Sequence, residues 1–85
     1  MKKYLVLTQR TASFDPACLD PHYAFLDALK KDGRLEQFGG FSDKSGGAYV
    51  FKAHNFNEAK TITENDPVFT TGSSTLTVYE WNAQT

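Results

Sequence analysis

The stretch from Gly46 to Phe69, GGAYVFKAHNFNEAKTITENDPVF, constrains this chain more than any other. It reads as a strand, a helix and an Asp-Pro stop. Ala48-Tyr49-Val50-Phe51 is short, apolar or aromatic, and follows Gly46-Gly47, the pattern of a strand leaving a turn. Asn55 offers a side-chain oxygen to the free N–H groups of a helix start, and Glu58 stands three residues on, where a capping-box carboxylate reaches back. Phe56, Ala59 and Ile62 are spaced by three and share one helical face. Pro67 predicts the end of that helix, because its ring drives Asp66 out of helical geometry. Asp66 lies one turn beyond Ile62, so its carboxylate leans toward the buried face. Such a group needs a partner.

The rest of the chain supplies three further strands and one helix. Tyr4-Leu5-Val6-Leu7 lies in a strand over Lys3–Thr8 that is continuously apolar, so both of its faces should be covered. Residues 9–19 have no period and read as a loop, with a turn at Asp15-Pro16. Asp20-Pro21 predicts a helix start, with an acceptor at the cap and proline at the first helical position. His22, Phe25, Leu26 and Leu29 then fall on one face, and Gly33 after Lys30-Lys31 predicts the stop. Arg34–Phe41 reads as the second strand, with a bulge or close backbone approach at Gly39-Gly40, and residues 42–47 as a hairpin loop. Thr75–Trp81 reads as the last strand.

The order βαββαβ is that of an α+β, ferredoxin-like fold: a single domain over residues 1–85, with two helices on one face of a four-stranded antiparallel sheet. The other face would expose the second side of the first strand, which predicts a homodimer joined through its sheet faces. Net charge is −1 and no run of Lys or Arg exceeds two residues, which argues against a nucleic-acid partner. The apolar runs are too short to span a membrane, and the lone Cys18 cannot form an internal disulfide, so the expectation is a cytoplasmic protein without a membrane role.

Topology also places the polar residues. With the first strand running upward, the top edge gathers Gln9, Arg10, His22, the hairpin and Asp66, while Arg34 and His54 fall at the bottom. Pro21-His22 through Gly33-Arg34-Leu35, Gly39-Gly40, and Asp66-Pro67 followed by Gly72 are similar to the YciI-like (YCII-related) family over residues 4–81. The resemblance implies a dimeric α+β barrel and a His–Asp active site, here His22 and Asp66. Relatives include a dechlorinating enzyme of chloroaromatic breakdown, and muconolactone isomerases share the wider fold. Many relatives carry an arginine three residues before the histidine, where this chain has Leu19, so that anion clamp is lost.

An imidazole oriented by a carboxylate suits general acid–base catalysis, and the resemblance implies a small organic acid or aromatic breakdown product as the substrate. The same pair would also serve as a structural tie between helices in a non-catalytic binding module, and both readings stand at this point. Arg10 is a candidate to bind a substrate anion. Phe41 and Phe69, with Phe14, are candidates to line a pocket above the pair, or simple core. Cys18 reads as packing rather than nucleophile. No cofactor is expected: Ser45-Gly46-Gly47 lacks the strand–loop–helix setting of a phosphate loop, and two histidines at opposite ends give no metal cluster.

Overall fold

The computed structural model describes residues 1–85. Strand β1 spans Lys2–Arg10, helix α1 Leu19–Lys31, β2 Leu35–Gly40, β3 Gly46–Ala53, α2 Phe56–Thr63, α3 Pro67–Thr70 and β4 Ser74–Glu80. The strands form one antiparallel sheet in the order β2-β3-β1-β4, the ferredoxin-like arrangement. Strand alternation sorts the sheet into two faces. Tyr4 pairs with Phe51 and Val6 with Tyr49, and these four side chains are buried with Leu26, Leu29, Ala53 and Ala59 in one core beneath the helices. Leu5, Leu7 and Val50 point to the other face, with Tyr79 beside Leu5 and half exposed. The continuous apolar run of β1 therefore divides between a packed face and an open one.

Local signals explain the α1 boundaries. At its end, Gly33 takes φ +76° beyond the Asp32 cap, its N–H reaches Lys30 O, and Arg34 N–H reaches Leu29 O. These are the paired bonds of a Schellman stop. The start is earlier than Asp20-Pro21 predicts. Asp15 accepts from Ala17 N–H and caps a 3-10 turn, Pro16–Cys18, which runs directly into the helix at Leu19. Asp20 is thus inside the first turn rather than at the cap. Pro21 is tolerated there because the first four N–H groups of a helix have no internal partner to lose.

Three other expectations are corrected. Pro67 does not follow the helix as a mere stop: α2 ends at Thr63, and Pro67 opens the short α3 with Asp66 as its cap, the Asp66 side chain accepting from Val68 N–H. Proline at a first helical position forfeits nothing, which makes Asp-Pro a start signal as readily as a stop. The bulge lies between Leu35 and Gln37 rather than at Gly39-Gly40. The close approach sits one strand over: a side chain at Gly46 would collide with Thr8 O, and one at Gly47 with Gly39 O, so these two glycines belong to β3 and not to the hairpin loop.

Asn55 caps α2 by accepting from Glu58 N–H, as its position suggests. The return contact is displaced by one residue, with Glu58 accepting from His54 N–H. No helix is long and apolar enough to cross a membrane.

Candidate functional site

The top edge is built by three elements meeting at one carboxylate. Asp66 is fully buried. A charge-bearing side chain in that position needs several donors at once, and it has three. His22 Nδ1 lies 2.7 Å from Asp66 Oδ1, Val68 N–H donates to the same oxygen at 3.1 Å, and the Tyr49 hydroxyl donates to Oδ2 at 2.9 Å. His22 and Asp66, 44 positions apart, are thus in direct contact. His22 comes from the first turn of α1, Tyr49 from the middle of β3, and Asp66 from the cap of α3.

This geometry assigns the ring nitrogens. The Asp66 oxygens only accept toward a neighbouring donor, so Nδ1 carries the hydrogen in this pair and Nε2 is left for other chemistry. Tyr49 is 2 % exposed. Burial first, then the Asp66 charge and their hydrogen bond, push its hydroxyl far above the usual tyrosine range. It therefore stays a neutral donor.

His22 forms part of the wall of a cavity of about 60 Å³. A single water needs roughly 10–15 Å³ on this kind of measure, so the space suits a few waters or a small polar ligand. Arg10, Phe14, Leu19, Gly47 and Ser74 also line it, and Tyr23 and Phe38 stand at its rim, each about half exposed. The Arg10 guanidinium lies 4.0 Å over the Phe14 ring. Stacking of this kind holds the flat group in place and leaves its N–H fork free. Arg10 is paired with no carboxylate.

Among the residues expected at this edge, the structure brings His22, Asp66, Arg10 and Phe14 together. Phe41 and Phe69 lie outside the cavity wall. Phe41 borders a groove on the open sheet face with Leu5, Val50 and Trp81, and Phe69 is 41 % exposed on α3. The reason is local: Phe41 follows the last residue of β2 on the loop, and Phe69 follows the inward Val68 by one residue, which turns it outward. Cys18 is buried and free. No three His, Cys, Asp or Glu side chains are close enough to hold a metal ion. Tyr49 is the participant that sequence reasoning missed. Its inward parity with Phe51 was visible in the strand pattern, but nothing in that pattern pointed its hydroxyl at Asp66.

Comparison with known proteins agrees with this architecture. The chain is 48 % identical over 81 residues to the uncharacterised protein YjpA of Bacillus subtilis strain 168, covering 95 % of each. Among solved structures, it is similar to 5-chloro-2-hydroxyhydroquinone dehydrochlorinase, TftG, of Burkholderia phenoliruptrix AC1100 in complex with 2,5-dihydroxybenzoquinone. That match has a TM-score of 0.77 at 21 % identity and covers 96 % of this chain and 95 % of the other. Muconolactone isomerase matches with a TM-score of 0.69 at 14 % identity, over 96 % of this chain and 90 % of the other. Both similarities concern the fold. Residues 2–82 match the YCII-related domain, and the chain belongs to that family.

Proposed function

We propose that this protein is a cofactor-free enzyme of acid–base chemistry, acting on a small organic acid or aromatic breakdown product. One observation carries the reading: a fully buried carboxylate fixes Nδ1 of a histidine that lines a cavity. His22 Nε2 takes a proton from the substrate and returns it at a second position or to a leaving group. Asp66 orients the imidazole and stabilises the imidazolium formed on the way. Arg10 receives the anionic group of the substrate, bidentately for a carboxylate. Proton transfer with isomerisation or elimination is also the chemistry implied by the names of the two solved relatives, an isomerase and a dehydrochlorinase.

The test is a turnover screen of small carboxylated lactones and haloaromatic breakdown products in deuterated water, with wild type and His22→Ala side by side. Loss of a general acid–base group lowers rate by roughly 10²–10⁴-fold. Equal rates and equal deuterium incorporation in both proteins would contradict the assignment.

A homodimer is part of the same proposal. Leu5, Leu7, Val50, Tyr79 and Trp81 gather on or beside the face away from the helices, and Tyr79 and Trp81 are about half exposed. Val50 is buried within the chain, and a second copy would cover the accessible ones face to face. Light scattering should give twice the 9.5 kDa chain mass. A stable single-chain mass at micromolar concentration would rule the dimer out.

The rival reading is a binding module in which the pair is a structural tie. It draws on the same carboxylate, since Asp66 caps α3 and satisfies three donors as a tie would.

A further inference from the structure

We infer that Tyr49 is a positioning residue for His22, acting through Asp66: its hydroxyl holds Oδ2 so that Oδ1 faces Nδ1 and the histidine lone pair stays on Nε2. The inference rests on the acid–base reading of His22 and extends it to a residue with no place in that chemistry.

Three features of the structure support it. Asp66 presents its two oxygens to different partners, Oδ1 to His22 and Val68, and Oδ2 to Tyr49. Rotation of the carboxylate about its last bond would break the contacts on both sides together. Without the tyrosine hydroxyl, only the Val68 N–H and the imidazole define the carboxylate plane, and the imidazole is the very group that must be defined. Tyr49 is itself held on the most enclosed part of the sheet. It pairs with Val6 on one side and Phe38 on the other, and its ring packs edge-on against Phe25 and tilted against His22. A donor on a central strand is a firmer reference than one on a cap or a helix end. Finally, the hydroxyl remains protonated because burial and the Asp66 charge disfavour the phenolate, so it cannot become a repelling anion.

The experiment is nitrogen NMR of the His22 ring in intact protein labelled at histidine, with His54→Gln removing the other histidine signal. Wild type is expected to show a protonated Nδ1 and a bare Nε2. Tyr49→Phe deletes one hydroxyl and should lower the ratio of the two tautomers roughly five- to tenfold, the scale set by one hydrogen bond. Phe25→Leu loosens the packing around Tyr49 while leaving every bond to Asp66 in place, and should melt earlier yet keep the wild-type tautomer. A Tyr49→Phe spectrum identical to wild type overturns the positioning role, and so does a Phe25→Leu spectrum that changes as much as that of Tyr49→Phe. Wild type with hydrogen on Nε2 would instead overturn the acid–base reading beneath it. If Tyr49→Phe does not fold, 3-fluorotyrosine at position 49 replaces it. A stronger donor draws charge from Asp66, so the Nδ1 proton signal should move upfield. An unmoved signal counts against the inference.

Discussion

The molecule contains two histidine–carboxylate pairs, one at each end of the sheet, and they differ in almost everything but composition. At the top, His22 meets Asp66 at 2.7 Å with side-chain exposures of 13 % and 0 %. At the bottom, His54 meets Glu58 at 3.2 Å with 64 % and 32 %. The bottom pair is local, four residues apart on the entry to α2, and Glu58 has a stronger partner in Arg34 at 2.5 Å. The top pair joins segments that only the complete fold brings together. Solvent competes for every contact at the bottom and for few at the top, so the same two functional groups form a weak surface hydrogen bond in one place and an oriented dyad in the other.

The strongest way to break this contrast is Asp66→Ala. It removes the cap of α3 and strands the Tyr49 hydroxyl, the Val68 N–H and the His22 ring without an acceptor. Urea denaturation should report a loss of about 3–5 kcal/mol, the range for removing one partner of a buried pair. Tyr49→Phe should cost about 1–3 kcal/mol, because it leaves a single buried carboxylate oxygen unsatisfied. A cost below the error of the fit for either variant would mean that the top edge is as solvated as the bottom.

Acid titration sharpens the same comparison from below. Glu58 is held down to about 2, by the Arg34 hydrogen bond first and then by those from His54. A carboxyl lowered in the folded state stabilises it fully above the ordinary value of 4.5, and that contribution disappears as pH falls toward 2. Wild type should therefore lose stability through this window, and Glu58→Gln should lose less of it, with the difference shrinking in high salt because the group is partly open to solvent. His54→Ala should be the smallest change of all, with a melting temperature indistinguishable from wild type near neutral pH.

The sequence made the long-range contact legible and left much of its support hidden. Hydrophobic spacing placed His22 on the inward face of α1, and the order of elements carried it to the edge where Asp66 emerges. Both steps depend on periodicity, which a single sequence displays. Pro67 misled because proline obeys the same geometry after a helix as at the start of the next one, and here only three residues separate Thr63 from Pro67. Asp20-Pro21 misled for a related reason: the 3-10 turn capped by Asp15 had already begun the helix. Phe41 and Phe69 are aromatic and near the right edge in sequence, but a difference of one residue on a loop or a short helix turns a side chain from pocket to surface. Tyr49 escaped notice because alternation in a strand reports which way a ring points and is silent about its hydroxyl.

The central claim is that His22 is placed for chemistry and that Asp66 is kept in place by groups other than His22. Thermal melts of wild type and His22→Ala at equal protein concentration test it most directly. With Tyr49 and Val68 still donating to the carboxylate and water able to enter the cavity, the account predicts a melting temperature unchanged or slightly raised, as when a functional group is held at some expense to the fold. A structural tie would instead leave the buried carboxylate short of its main partner. A fall in melting temperature corresponding to about 1–3 kcal/mol would contradict the account.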